Sequence, residues 1–315
     1  MRARLLLATS NLDLQRGVLK TFLFIGLGFI DNLLRHEDLL DNLPGRRHIV
    51  VQQNADGQAP AHPKHHDGHD NSHHTHALGL LTGLIAGLAD HEHAVALVCV
   101  KSDEMAKKGD FLFITKNGQV KRTAAAEYGI RRARFAAINL KGNDELVGMV
   151  QVDPEDKDDI ILITQLGMAL RFKLDTVSCT GRATAGVRGI DVGKDDEVRW
   201  FEIPKAGDML FVLSDRGFGK RMLSDDVERQ GRAGKGQKLL PMNKTGETGT
   251  QVAVCLNVTG AKSVRVEQKH GHTVLLNMDE IAVERRASKG QLLVNVLLDD
   301  VVQYGALTAE TKDEK

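Results

Sequence analysis

The 315-residue sequence has few aromatic side chains: Phe, Trp and Tyr make up 4% of it, with one Trp and two Tyr. Proteins that hold single-stranded nucleic acid without sequence preference stack its bases on aromatic side chains, and this chain has too few for such a platform. Its three cysteines, Cys99, Cys179 and Cys255, lie far apart and form no Cys-x-x-Cys pair. That spacing argues against a disulfide framework or a cysteine zinc site and fits a reducing compartment.

A net charge and long apolar runs are missing as well. Lys and Arg together number 42, as do Asp and Glu, so the total charge neither supports nor excludes a polyanionic partner. The apolar runs Thr21–Ile30 and Ala77–Ala89 are too short to span a bilayer, and Leu5–Ala8 is too short for the core of an export signal. We therefore expect a cytoplasmic protein.

Enzyme motifs are also lacking. The sequence contains no Gly-x-Ser-x-Gly elbow and no His-Glu-x-x-His. Gly231–Gly236 is only superficially similar to a phosphate-binding loop, because Lys235 is followed by glycine instead of the Ser or Thr that such a loop needs. We expect no catalytic site and no bound metal or cofactor in this chain.

Residues 1–106 differ in character from the rest. They hold eleven of the thirteen histidines, seven of them within His62–His76. Imidazole binds transition metals, but a crowd of ligands without fixed spacing does not predict a specific metal site. The apolar stretches that could be helices are Leu5–Leu19, Phe22–Leu34 and Ala77–Ala89. We interpret residues 1–106 as an irregular, partly helical or disordered region, or alternatively as a stretch that is foreign to the rest of the chain.

From residue 107 onward one pattern repeats: an apolar strand, a turn ending in glycine, and a second strand that usually carries Lys or Arg. It occurs four times, at Phe111–Arg122, Ile160–Lys173, Leu210–Met222 and, more weakly, Val264–Met278. The turn glycines, about 50 residues apart, are Gly118, Gly167, Gly217 and Gly271. An Arg-Ala pair keeps the same period and begins at Arg132, Arg182, Arg232 and Arg286.

This period, with about four strands in each unit, is typical of propeller-like arrays. The sequence therefore predicts an all-β array of about four blades over residues 107–305, followed by a polar tail at 306–315. The further strands that we predict are Phe135–Leu140, Glu145–Val152, Val187–Val192, Val198–Ile203, Gln251–Val258 and Gln291–Val296.

Basic residues cluster just after the hairpin turns and in the connections between repeats. If the period brings these clusters to one edge of every blade, they form a basic belt that suits the phosphates of duplex DNA. Glycines among them allow backbone N–H groups to approach phosphate oxygens. The alternative is ordinary solvated loop charge. The candidate DNA-binding residues are Lys121, Arg122, Arg132, Arg171, Lys173, Arg182, Lys220, Arg221, Gln230, Gly231, Arg232, Gly234, Lys235, Gly236, Arg286 and Lys289.

These repeats resemble the C-terminal domain of the DNA gyrase A subunit, a β-pinwheel, over about two-thirds of the chain. The segments that carry the resemblance include FLFITKNGQVKRTAAAEY, ILITQLGMALRFK and GFGKRMLSDDVERQGRAGKG. Gln230–Gly236 (QGRAGKG) is similar to the GyrA-box, which gyrases need to wrap DNA. The resemblance implies a disc that bends duplex DNA around its rim. It also implies a gyrase complex in which the A catalytic region and the B subunit carry out ATP- and Mg²⁺-dependent negative supercoiling.

Several features depart from that family. Four repeats are visible where gyrase pinwheels have about six, Val274 and Leu275 replace the basic residues in the last repeat, and Gly246–Val266 fits poorly. A nucleophilic tyrosine beside an arginine is missing, since neither Tyr128 nor Tyr304 has such a neighbour, so we do not expect this chain to cut DNA. The alternatives are a topoisomerase IV module, a non-functional gyrase fragment, or a propeller-like scaffold for protein interaction or metal buffering.

Overall fold

The computed structural model describes residues 2–8, 47–53, 92–99, 109–128, 134–155, 158–243 and 245–308, and most of their regular structure is β-strand. The strands are β1 (Arg2–Ala8), β2 (Arg47–Gln53), β3 (Glu92–Cys99), β4 (Asp110–Thr115), β5 (Gln119–Ala124), β6 (Arg134–Asn139), β7 (Leu146–Val152), β8 (Asp159–Thr164), β9 (Met168–Lys173), β10 (Val187–Arg188), β11 (Val198–Glu202), β12 (Met209–Ser214), β13 (Phe218–Leu223), β14 (Gln237–Lys238), β15 (Val252–Asn257), β16 (Ser263–Gln268), β17 (Thr273–Asn277), β18 (Gln291–Leu292) and β19 (Val302–Leu307). Short 3-10 turns lie at Ala125–Tyr128, Leu174–Thr176, Ser224–Asp226 and Met278–Glu280.

Four antiparallel hairpins form the repeating unit, and they confirm the four predicted segments. They are β4–β5, β8–β9, β12–β13 and β16–β17. Each turn glycine has a positive φ, for example 76° at Gly118 and 81° at Gly217. Left-handed backbone of this kind closes a tight hairpin without a Cβ clash only at glycine, which explains why glycine recurs at this point of every repeat.

The first three hairpins are extended on both sides, and the fourth on one side, by strands that come later in the chain. The first three hairpin sheets have the orders β10-β5-β4-β7, β11-β8-β9-β14 and β15-β12-β13-β18, and the last has β17-β16-β19. The strands predicted at Glu145–Val152, Val198–Ile203 and Gln251–Val258 are confirmed in these sheets, and the one predicted at Phe135–Leu140 is confirmed as β6, which pairs with β1. The ones expected at Val187–Val192 and Gln291–Val296 shorten to two residues, because only their first residues reach the neighbouring hairpin.

The described residues divide into two compact units, one holding the residues up to 155 together with 177–187, the other holding 158–176 and 188–308. In the first unit Phe111, Phe113 and Phe135 surround Tyr128, with ring centroids 5.3, 5.9 and 6.0 Å from that of the tyrosine. In the second unit every residue of β8 is buried. A strand covered on both faces needs a continuous apolar run, and β8 supplies Ile-Ile-Leu-Ile.

The first unit contains a sheet that the sequence did not predict. Its order is β3-β2-β1-β6, and β1 pairs antiparallel with both β2 and β6. Residues 5–8 are therefore strand where a helix over Leu5–Leu19 was considered. The stretches Phe22–Leu34, Ala77–Ala89 and His62–His76 lie outside the described residues. The polar tail predicted at 306–315 starts too early, because Ala306 and Leu307 belong to β19, and its residues from 309 onward are not described.

Candidate nucleic-acid interface

The fourth residue after the turn glycine is an arginine in the first three repeats, at Arg122, Arg171 and Arg221. All three side chains are partly buried and anchored. Arg122 Nε donates to the Asp110 carboxylate, and Arg171 Nε donates to Asp159 at 2.7 Å. Arg221 Nε donates to the carbonyl oxygen of Ile281 at 2.7 Å. Arg122 and Arg171 therefore brace the two strands of their own hairpins, Arg221 joins its hairpin to the next repeat, and all three expose only part of their charge.

Arg171 is the most strongly held of the three. Its Nη1 donates to Asp225 at 2.9 Å, and the Arg171 side chain is 14% exposed. Burial alone would lower the pKa of Arg171, but the hydrogen bonds to Asp225 and Asp159 outweigh it and raise that pKa. The pKa of Asp225 is lowered first by the N–H of Gly207 and then by Arg171. The carboxylates already compensate most of the charge that this arginine could offer a phosphate.

Lys121 and Lys220 were expected on the basic belt, and the structure places both inside the protein with 0% exposure. Lys220 Nζ donates to the carbonyl oxygens of Arg285, Arg286 and Ser288 at 3.0, 2.6 and 2.5 Å. Lys121 Nζ donates to those of Ala137 and Arg182, both at 2.6 Å. An ammonium group that satisfies buried carbonyls is not free to bind a phosphate, so we assign these two lysines a structural role.

The burial of Lys121 and Lys220 makes the stability of the protein depend on pH. Desolvation lowers the pKa of Lys121 from 10.5 to about 7 and that of Lys220 to about 8. The unfolded chain keeps both protons up to about pH 10, so between these values it binds more protons than the folded chain and stability rises with pH. We expect the free energy of unfolding to increase from pH 7 to pH 9, by at most on the order of 1 kcal/mol per pH unit for each lysine. Urea unfolding of the wild type and Lys121→Met over this range checks it; equal slopes for the two would contradict the assignment.

The loop Gln230–Gly236, the box-like loop, is held by its backbone. The N–H of Gln230 donates to the carbonyl oxygen of Arg171 at 2.8 Å, and the N–H of Ala233 donates to that of Gly189 at 2.7 Å. Ala233 has φ of 68°, and Gly236 has φ of 78°. The loop is thus fixed in shape, while Gln230, Gly231 and Lys235 remain exposed.

Two glycines of the box-like loop make a matched pair of variants. A Cβ at Gly236 would lie 2.4 Å from the carbonyl oxygen of Ala169, whereas a Cβ at Gly231 would meet nothing within 4 Å. We expect Gly236→Ala to lower the free energy of unfolding by about 1–3 kcal/mol, since it combines a left-handed backbone with a clash. Gly231→Ala is expected to change it by less than about 0.5 kcal/mol. Thermal unfolding measures both, and equal losses would show that Gly236 is not constrained as described.

The connections between repeats are bonded to one another in the second unit. Arg232 Nη1 donates to the carbonyl oxygen of Arg188, and Arg286 Nη1 donates to that of Lys238 at 2.8 Å. The N–H of Asp191 adds a bond to the carbonyl oxygen of Gly234 at 2.8 Å. These bonds bring basic residues of three successive connections side by side. We call this set the basic rim: Arg188, Arg229, Arg232, Lys235, Lys238, Arg285, Arg286 and Lys289.

Most side chains of the basic rim are open to solvent. Arg188, Arg229, Lys235, Lys238, Arg285 and Lys289 are all exposed. The segment Arg229–Lys238 contains four basic and no acidic residues. Arg229 Nη2 donates to the buried carboxylate of Asp159 at 2.9 Å, while the Arg229 side chain stays 51% exposed. The basic rim therefore exposes six cationic side chains, of which Arg188 is also paired with Asp191 at 3.4 Å.

The remaining predicted site residues are placed as follows. Lys173 is exposed at the end of β9. Arg182, in the first unit, donates to the carbonyl oxygen of Glu127 at 2.8 Å and lies 5.1 Å above the ring of Phe135. Arg132 lies outside the described residues. The burial of Lys121 and Lys220 could have been predicted by aligning the repeats. Both lie three residues after the turn glycine, and the other two repeats have the apolar residues Leu170 and Val274 at that position.

No helix in the described part of the chain is both long and apolar enough to cross a membrane. Among residues 2–8, 47–53, 92–99 and the described part of 109–308, no group of three or more His, Cys, Asp and Glu side chains is placed to hold a metal ion.

Comparison with known proteins agrees with this architecture. The family model for the DNA gyrase C-terminal domain, a β-propeller, matches residues 109–153, 158–205 and 208–249. These are the first three repeats, with the basic rim's first two connections. The repeat region belongs to the family of DNA gyrase C-terminal domains. The match ends inside Gly246–Val266, the stretch whose sequence fits the gyrase pattern poorly, and the fourth hairpin lies beyond it.

Relatives of this gyrase family are much longer than the present chain. The gyrase A protein of Deinococcus deserti is 33% identical over 240 residues, which are 74% of this chain and 29% of that protein. The gyrase A protein of Chlamydia trachomatis is 30% identical over 70% of this chain and 26% of its own length. The chain thus spans less than a third of these relatives.

Solved structures share the fold of the repeats. The C-terminal domain of DNA topoisomerase IV superimposes with a TM-score of 0.64 at 23% identity, covering 71% of this chain and 69% of that one. The DNA gyrase A C-terminal domain gives 0.59 at 17% identity, covering 72% and 74%. At these identities the likeness concerns the pinwheel fold.

Proposed function

We propose that this chain binds duplex DNA along the basic rim and bends it, as the C-terminal DNA-binding part of a gyrase A protein. The observation that carries the proposal is the bonding of each connection to the next, through Arg232 to Arg188 and Arg286 to Lys238. These bonds hold exposed cations of successive repeats in a fixed row, which is the arrangement that a curved phosphate backbone requires.

The physical case rests on repetition. Bending 20–30 base pairs by tens of degrees costs on the order of 1–6 kcal/mol, and one cluster of phosphate contacts supplies too little to offset that cost. Several connections acting on one duplex can do so, because each neutralised phosphate releases counterions. Contacts of this kind read the backbone and its shape, so we expect little base-sequence preference.

Strand cleavage is assigned to other parts of the gyrase complex. Tyr128 is fully buried, its hydroxyl donates to the carbonyl oxygen of Ala137 at 3.0 Å, and burial raises the pKa of this phenol. A hydroxyl in that position cannot attack DNA. We propose that the A catalytic region and the B subunit, with ATP and Mg²⁺, carry out strand cleavage and supercoiling. This chain binds and bends the duplex, and it does so in the cytoplasm.

Two measurements on the full 315-residue chain test the proposal. The first is the salt dependence of affinity for linear duplex DNA, which we expect to be steep. The second is the linking number fixed when a type I topoisomerase relaxes circular plasmid in the presence of the protein. A shift toward positive linking difference supports chiral wrapping. Absence of binding at low salt would overturn the proposal and leave the chain as an inactive gyrase fragment.

A topoisomerase IV module is the second candidate, favoured by the TM-score of 0.64 to that C-terminal domain. Steep salt-dependent binding with no linking-number change, and no special loss on altering the box-like loop, would select it. The box-like sequence Gln230–Gly236 favours gyrase.

A further inference from the structure

In the first three repeats the outer edge of the second hairpin strand is covered by the repeat that follows. A two-residue strand pairs with its start, as Gln237 and Lys238 do with β9, and Gln291 and Leu292 with β13. Farther along the same edge, the carbonyl oxygen of Arg171 accepts the N–H of Gln230 and that of Arg221 accepts the N–H of Glu284, each at 2.8 Å. The backbone groups along this edge thus find their hydrogen-bond partners within the protein.

The corresponding edge of the fourth repeat is open. Its sheet has three strands, β17-β16-β19, and no strand of the described residues pairs with the outer side of β17. Leu275 takes the place of the anchoring arginine and is 63% exposed. An exposed strand edge is a template for pairing with another chain unless charge, proline or a bulge protects it.

Strand β17 has none of these protections. Its sequence, Thr-Val-Leu-Leu-Asn, contains no charged residue and no proline, whereas β5, β9 and β13 each carry two basic residues. The missing arginine is also the residue type that fastens a following repeat, as Arg171 does with Asp225. The edge of β17 therefore lacks the arginine that would anchor a further repeat, and in its place it exposes Leu275, which can pack against an apolar partner.

We infer that β17 pairs antiparallel with β17 of a second copy of this chain. Centred on Leu275, this register places Leu275 opposite the same residue, Val274 opposite Leu276, and Thr273 opposite Asn277. No like charges meet, and the two exposed leucines cover each other as a cross-strand apolar pair. The pairing completes the three-stranded sheet on both copies. It rests on the fold alone and is independent of DNA binding.

Sedimentation velocity of the full chain across a wide range of concentrations tests the inference. We expect a reversible dimer whose dissociation constant increases about tenfold or more in Leu275→Lys, because two ammonium groups then face each other across the pair. Leu298→Lys is the matched control, since Leu298 is 96% exposed in a turn outside β17. It adds the same charge and is expected to leave the dimer unchanged.

A second readout does not depend on weakening the dimer. With Cys99 and the exposed Cys179 replaced by serine, and with Cys255 buried, Leu275→Cys is expected to form an intermolecular disulfide under mild oxidation, and Leu298→Cys is not. A wild type that stays monomeric at every concentration overturns the inference. So does a dimer with the same dissociation constant in Leu275→Lys, or equal cross-linking at the two cysteine positions.

Discussion

Lys220→Ala is expected to lower the free energy of unfolding by about 3 kcal/mol. The substitution removes a buried ammonium group and leaves the carbonyl oxygens of Arg285, Arg286 and Ser288 without their donor. Each buried acceptor left unsatisfied costs about 1–3 kcal/mol, while the desolvation cost of the lysine is recovered in part. Urea unfolding of the full chain measures the difference, followed by the intrinsic fluorescence of Trp200, which packs against the core of the second unit.

Lys238→Ala is the matched control for this experiment. Lys238 lies in β14, in the connection that follows the third hairpin, but its side chain is exposed. Its removal is expected to change stability by less than about 0.5 kcal/mol while weakening DNA binding. The two lysines are therefore expected to differ in which property each substitution changes. If Lys220→Ala leaves stability unchanged and reduces DNA affinity, Lys220 contacts DNA and the structural role is refuted.

The first three hairpins were predictable because two local signals coincide in them; the fourth keeps the turn glycine, but its first strand, β16, alternates buried and half-buried residues. A turn glycine fixes the backbone where the chain must reverse, and an apolar run on its N-terminal side marks a strand covered on both faces. Both signals lie within about a dozen residues of one another, as at Phe111–Arg122. The period then extends the prediction from one hairpin to the array.

Strands β1, β2 and β3 could not be found in this way. They lie outside the fifty-residue repeat, and a short apolar run by itself does not distinguish a strand from a buried helical segment. Their pairing is decided by a strand far away in the chain, since β1 pairs with β6, more than a hundred residues later. Contacts of that sequence separation leave no local pattern.

The buried lysines show a different limit. A lysine next to an arginine just after a turn predicts a basic surface patch, and alternation along β5 sends only one of the pair outward. Arg122 faces out and Lys121 faces in, where carbonyls compensate its charge. The composition of a single repeat favours a surface position for both. Aligning the repeats decides the matter, because Leu170 occupies the position of Lys121 in the second.

The double variant Arg232→Ala with Lys235→Ala is expected to abolish the linking-number shift and to lower duplex affinity about ten- to a hundredfold at moderate salt. Two phosphate contacts are lost, which reduces the slope of log affinity against log salt by about 2. We expect the linking-number shift to decrease more than the affinity, because Arg232 also donates the hydrogen bond to Arg188 that aligns neighbouring connections. Arg232→Lys separates these contributions: it keeps the charge and the salt slope but is expected to diminish the shift, because an ammonium group does not reproduce the guanidinium's reach to that carbonyl oxygen.

The control for charge is Lys194→Ala with Arg199→Ala. Arg199 lies in β11, at the opposite edge of the sheet β11-β8-β9-β14 from the rim strand β14, and Lys194 lies in the turn before it. Both side chains are exposed, so this variant removes the same charge as the first. If affinity depends only on total charge, the two double variants lose binding equally, and the basic rim has no special role. If the row of bonded connections guides the duplex, the control keeps its linking-number shift, and the effect of Arg232 and Lys235 comes from their position on the rim.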